Sequence, residues 1–255
     1  MFFNFSPKRQ TYLEDCRAAQ EGSENQRMKI KELYRTRWVE RHDALEIFID
    51  FLPAMVEAMS QIMSVETRST TSADISGFLL AITSFQFIVV LVVVTRCLSY
   101  IKPLTVSLQG RAVDVVKAMA EVNVVTETLQ GVRTNISDNQ QRWYQEAVLI
   151  ADNLGTVPAK PRTCGRQTMK GNAEASTQED YYRMNLTIGF LDTLLLQMNE
   201  RFGELQRKAA MGLALIPSYM CENPQTLDAT NLEWFSEDLP SPQSLDSELH
   251  LWQKK

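Results

Sequence analysis

The stretch LTVSLQGRAVDVVKAMAEVNVVTETLQGV, residues 104–132, decides the fold class. Leu104, Leu108, Ala112, Val115, Met119, Val122, Val125, Leu129 and Val132 recur at steps of three and four. That is the spacing of one apolar face of an α-helix, here sustained for about eight turns at 3.6 residues per turn. Nothing in it alternates as a half-buried strand would. Pro103 suits a first-turn or kink position, and Gly110 and Gly131 mark bends.

The same period recurs on either side. Leu45, Phe48, Leu52, Met55, Met59 and Ile62 form a stripe in a helix opening near Asp43 and running to about Met63. Pro53 inside it predicts a kink or a split. Residues 64–72, rich in Ser and Thr, read as a loop. A shorter helix over about 137–154 places Trp143, Ala147, Ile150 and Ala151 on one face. A last long helix opens near Thr177, with Glu179 and Asp180 in its first turn, and ends near Ala210. Its stripe is Tyr182, Leu186, Leu191, Leu194, Leu195, Met198 and Phe202. The expected fold is all-α, a bundle of five to six helices.

Composition sets the outer bounds. The chain has 255 residues, 44% of them hydrophobic and 22% charged, which suits a packed protein and excludes wholesale disorder. A net charge of −5 means the chain as a whole is no nucleic-acid polycation. Its charge is segregated, however. Residues 1–42 hold nine basic residues against six acids. Between Asp152 and Glu174 lie Lys160, Arg162, Arg166 and Lys170 with no acid, in a Pro- and Gly-bearing loop at 155–176. Residues 222–250 hold seven acids and no Lys or Arg. Three regions follow: a basic N-terminal segment at 1–42, a helical domain at 43–215 that includes the basic loop, and an acidic, mostly loop tail at 216–255.

From Ile75 to Thr95 there is no charged residue. Length and charge meet the requirement for a bilayer span of about 20 residues. Thr83, Ser84 and Gln86 near the middle, the β-branched run over 88–94 and the lack of flanking aromatic belts count against it. A helix buried on all sides has the same appearance, so a single-pass membrane protein stays open as an alternative. The N-terminal apolar run Met1–Phe5 stops short at Lys8-Arg9, which predicts a chain that is not secreted, in the nucleus or the cytoplasm.

Chemistry-bearing patterns are sparse. Cys16, Cys97, Cys164 and Cys221 are scattered, and His42 and His250 lie at opposite ends, so neither a metal site nor a cofactor is expected. There is no GxSxG and no glycine-rich phosphate loop. The densest cluster is RTRWVERH, residues 35–42. Arg35, Arg37 and Arg41 could grip phosphates while Trp38 stacks on an unpaired base. The plainer alternative is a tryptophan packed on the bundle among solvated arginines. The loop cations Lys160, Arg162, Arg166 and Lys170 carry the same two readings, a phosphate contact or an exposed loop.

RTRWVERHDAL, residues 35–45, resembles the TRW-x-x-R-x-x-A-(L/F) stretch of hAT-family transposases and their domesticated relatives, including the THAP-finger and zinc-finger MYM-type groups. FFNFSPKRQ at 2–10, LLAITSFQF at 79–87, LSY at 98–100, LQG at 108–110, PRTCGRQT at 161–168 and the helix from Tyr181-Tyr182-Arg183 to Arg201-Phe202 follow in the family's order. Met169 departs from it, standing where relatives often carry histidine. The resemblance implies a place on the helical insertion of a ribonuclease-H-like core, whose three carboxylates hold two divalent metals. It puts two of those acids before Met1 and the third beyond the segment present, with Glu248 the sole tail substitute. It further implies a catalytically silent, partial transposase-like protein and no enzyme, one that binds DNA or protein partners and no membrane. Ile75–Thr95 then corresponds to a buried insertion helix. A protein-interaction scaffold using the acidic tail is the remaining alternative.

Overall fold

A computed structural model of the chain describes residues 3, 6–19, 38–65, 69–110, 115–161, 171–203, 212 and 236–252. All regular structure among them is helical. The elements are α1 (Pro7–Ala19), α2 (Trp38–Val65), α3 (Ser69–Ile82), α4 (Phe85–Leu108), α5 (Val115–Thr134), α6 (Ile136–Asn153), α7 (Gln178–Tyr182), a π-turn (Arg183–Thr187), α8 (Ile188–Arg201), a 3₁₀ turn (Pro242–Ser244) and α9 (Leu245–Trp252). Because α7, the π-turn and α8 form one continuous rod, eight rods are described, against the five or six expected.

The surplus has local causes. The apolar segment Ile75–Thr95 is not one helix, which corrects both its reading as a single insertion helix and the 75–95 span. The chain turns at Thr83–Ser84, between α3 and α4. Thr83 Oγ1 donates to Leu79 O at 2.6 Å, and Ser84 Oγ donates to Ala81 O at 2.8 Å while accepting from Phe87 N–H at 3.3 Å. Side-chain hydroxyls thus take over backbone groups at the end of one helix and the start of the next. The long stripe at 104–132 likewise splits. α4 closes at Leu108 in short i→i−3 bonds from Gln109 N–H and Gly110 N–H, and α5 opens at Val115. Apolar spacing alone does not register this break, which Gly110 marks as a bend.

Other expectations shift by a turn or two. α2 begins at Trp38, ahead of Asp43, and runs unbroken through Pro53. The proline removes one ladder hydrogen bond, and neighbouring Leu52 and Ala54, both at 0% exposure, hold the helix on course. The loop foreseen at 64–72 shrinks because α2 reaches Val65 and α3 starts at Ser69. The helix α1 within the basic N-terminal segment carries no strong stripe, and its apolar anchors Leu13 and Cys16 are buried. The foreseen end of the last helix near Ala210 lies outside the described residues.

The chain divides into two compact units, residues 1–102 with 132–191 and residues 103–131 with 192–255. In the first, α1 packs on α2, and Leu13, Ile47, Phe51, Leu52, Met55 and Ile62 share a core with Ile75 and Leu91. Each such side chain contributes about 1.5–3 kcal/mol on burial. Among residues of the second unit, Val122, Leu129, Leu194, Met198 and Leu249 are buried. Two helices, α2 from His42 and α4, are long and apolar enough to cross a membrane by length and composition, and about half of each one's most apolar window is buried inside the protein.

Candidate nucleic-acid interface

The basic loop leaves α6 through a defined exit. Gly155 has φ +67°, a left-handed conformation that favours glycine. Thr156 N–H returns to Ala151 O at 2.8 Å and Gly155 N–H to Asp152 O at 3.0 Å, closing a Schellman turn. Thr156 Oγ1 then donates to Thr83 O at 2.9 Å, which ties the loop's first residue to the turn between α3 and α4. Two residues past Val157, Ala159 O accepts the Tyr182 hydroxyl at 2.7 Å.

The returning strand of the loop is pinned at least as firmly. Asn185, in the π-turn, accepts Ala173 N–H on Oδ1 at 2.7 Å and donates from Nδ2 to Ala173 O at 3.2 Å. One side-chain amide therefore satisfies both backbone groups of a loop residue. Asn172 Nδ2 donates to the Tyr181 hydroxyl at 2.8 Å. Thr177 caps α7 by accepting Asp180 N–H at 3.0 Å. The Asp180 carboxylate takes Arg183, Thr177 and Ser176 as donors, and the Arg183 bonds above all hold it below the usual carboxylate range.

The frame behind these contacts is aromatic and polar. Tyr182, 2% exposed, meets Phe85 edge-on at 5.7 Å and Tyr181 at 5.5 Å between ring centroids. Burial pushes the Tyr182 phenol well above its ordinary range, with Tyr144 and Tyr181 adding to the shift, so it stays a neutral donor. In the π-turn, Thr187 Oγ1 donates to Gln140 Oε1 of α6 at 2.7 Å, and both residues are at 0% exposure. π-turns are rare and concentrate at functional sites. No sequence signal announced this one, because the apolar stripe from Tyr182 to Met198 absorbs one extra residue without visible defect.

Of the eight side chains singled out from sequence, Lys160 is the one described. It is exposed and donates to Ala175 O at 2.9 Å, bridging the two strands at the loop's base. Trp38 is the first residue of α2 and Arg41 lies in the same helix, while their side chains are outside the described residues. Arg35, Arg37, Arg162, Arg166 and Lys170 lie outside the described residues altogether.

A second charged region lines the contact of α2 with α4. Lys102 Nζ sits 2.8 Å from Asp43 Oδ1, and Arg96 grips Glu146 of α6 with Nε at 2.9 Å and Nη2 at 2.5 Å. A cavity of about 230 Å³ lies beside them, lined by Arg17, Glu46, Asp50, Thr95 and Arg96 among others. Arg17 there donates to Asp50 O at 2.6 Å and stacks 4.6 Å over the Phe51 ring. Both guanidiniums are engaged by protein groups, so the cavity is not a ready anion site. The one group of metal-capable side chains among the described residues is His42, Asp43 and Glu46, next to Lys102.

Fold and site together define a helical protein in which the residues flanking a basic segment are hydrogen-bonded to the helices on both sides. The chain is similar to the 52 kDa repressor of the inhibitor of the protein kinase of Mus musculus, at 32% identity over 241 residues, 92% of this chain and 32% of the relative. It is similar also to the protein of that name from Homo sapiens, at 31% identity over 261 residues, 100% of this chain and 34% of the relative. The chain is thus related to these repressors and spans about a third of their length. No protein-family model matches it, and no solved structure matches it.

Proposed function

We propose that this chain is a catalytically silent, hAT-transposase-like helical module that binds nucleic acid through its basic loop, with Arg35, Arg37, Trp38 and Arg41 as a second contact. The observation that carries the reading is the double anchoring of the loop. Lys160 joins its base to Ala175, Asn185 clamps Ala173, and Tyr182 and Thr156 fix the opposite strand. Holding the flanking residues 156–160 and 173–175 in place lowers the ordering cost of binding a phosphate backbone between them. The relatedness to proteins named as repressors is compatible with a DNA- or protein-binding role. A nuclear location follows from that role.

Silence is proposed because Glu248, the sole tail substitute for a family carboxylate, serves its own helix, accepting Ser244 Oγ at 2.6 Å. A duplex-binding titration tests the interface. Four phosphate contacts give a log-affinity against log-salt slope that is steeper by about 3.6 than without them. The quadruple variant Lys160→Ala, Arg162→Ala, Arg166→Ala, Lys170→Ala should lose most of that slope. Absent or salt-insensitive binding overturns the interface, and Mg²⁺- or Mn²⁺-dependent strand cleavage abolished by Glu248→Ala overturns the silence.

A further inference from the structure

His42 opens the described side chains of α2 in an unusual condition. Its ring is 3% exposed, and neither Nδ1 nor Nε2 has a hydrogen-bond partner. A neutral imidazole carries one N–H and one lone pair, so whichever tautomer is present, both groups are left unsatisfied away from water. The ring does not face an apolar wall. Nδ1 stands 3.5 Å from Glu46 Oε2 and 3.8 Å from Asp43 Oδ1. These separations are long for hydrogen bonds. They fit the edges of a coordination shell, since ligands at about 2.1 Å from a tetrahedral ion lie about 3.4 Å from one another.

Positions 42, 43 and 46 fall within little more than one helical turn, and their ligand atoms all lie within 4.8 Å of one another. Rigid helix backbone therefore presents one nitrogen and two carboxylate oxygens to a common point. A positive charge already attends that point, for Lys102 Nζ lies 2.8 Å from Asp43 Oδ1 and 4.0 Å from Glu46 Oε2. The Lys102 side chain is 35% exposed, so its flexible stem can withdraw the ammonium toward solvent and leave an open coordination position.

We propose that His42, Asp43 and Glu46 form a divalent transition-metal site of the zinc class, and that the Lys102 ammonium and the metal ion are alternative cations for the same two carboxylates. The donor set selects the ion. One imidazole with two carboxylates suits Zn²⁺ and leaves a fourth position for water, whereas Ca²⁺ demands six or more oxygens and Mg²⁺ a near-ideal oxygen octahedron. The site is inconspicuous in the sequence because its single histidine has no second His or Cys nearby. The two carboxylates, at i+1 and i+4 from the histidine, resemble an ordinary solvated helix start.

Calorimetric titration of the full chain with Zn²⁺ at neutral pH, with Co²⁺ absorption alongside, tests the proposal. One ion per chain is expected, with no thiolate-to-cobalt charge-transfer band. His42→Gln and Glu46→Gln should each weaken binding about tenfold or more, and Lys102→Met should tighten it several-fold by removing the competing cation. The last variant separates a metal site from a structural ion cluster, because a cluster that merely needs Lys102 gains nothing from its loss. Circular dichroism verifies the fold of each variant, and Lys102→Met alone decides should His42→Gln unfold. No Zn²⁺ bound at millimolar concentration, a thiolate band, or affinity indifferent to both His42 and Lys102 overturns the proposal.

Discussion

The buried hydrogen bond from Thr187 to Gln140 offers a sharp test of the frame behind the basic loop. Thr187→Val keeps the branched shape in the π-turn and deletes the donor. Gln140 Oε1, in a residue at 0% exposure, then loses its 2.7 Å partner with no water to replace it. Leaving a buried acceptor unsatisfied costs about 1–3 kcal/mol, so a destabilisation of about 2 kcal/mol is expected. Gln140→Leu behaves differently. It also removes Nε2, which is buried without a partner, and the Thr187 hydroxyl retains a longer acceptor, Tyr182 O at 3.4 Å. Its cost should therefore fall below about 1 kcal/mol. The double variant should be no worse than Gln140→Leu alone, because two apolar groups leave nothing unsatisfied. Urea unfolding followed by circular dichroism yields all three values, and the cycle gives a coupling of about 2 kcal/mol or more. Additivity of the two single costs within about 0.5 kcal/mol, or a Thr187→Val cost near zero, would refute the hydrogen-bonded account of the π-turn.

Further outcomes follow from the same geometry. The Asp180 carboxyl is held below the usual range, chiefly by Arg183, so its stabilising effect is complete above the ordinary carboxylate pKa and disappears as pH falls through the depressed folded value. Carboxyl NMR titration should place its midpoint below the ordinary aspartate value, and Arg183→Gln should return it upward. Burial pushes the Cys97 thiol up to about 12, and Cys97 is at 0% exposure. Under native conditions at pH 8, peptide-mapped alkylation should leave Cys97 unmodified and label it only in denaturant; rapid native labelling contradicts its placement. Arg96→Met should cost about 1 kcal/mol or less in chemical denaturation, since the Arg96–Glu146 pair is substantially exposed and screened by solvent. Asn185→Ala should leave the helical content intact while making the 155–176 loop more susceptible to limited proteolysis, because the amide holds Ala173 from both sides.

The sequence by itself determined the helical class and the register of its faces. Burial on a helix repeats every three to four residues, and Leu52, Met55, Met59, Ile62, Tyr182, Leu191 and Met198 are buried as their spacing requires. The N-terminal boundary at Thr177 was equally legible, because a capping hydroxyl followed by Glu and Asp is a local device. Helical periodicity did not register the breaks within the apolar stripes, although Gly110 marked one of them as a bend. The turns at Thr83–Ser84 and after Leu108 depend on which hydroxyls and amides meet which carbonyls, and periodicity does not record that. Lys160 could be named from charge alone, but that its ammonium closes the loop base on Ala175 depends on the fold bringing together residues 15 positions apart. The same holds for His42. Its composition-level reading is a lone histidine, and only the packing that removes it from water and places Lys102 of α4 against Asp43 and Glu46 gives it chemistry. Local pattern fixes what a helix buries, and long-range packing fixes which polar groups must then find one another.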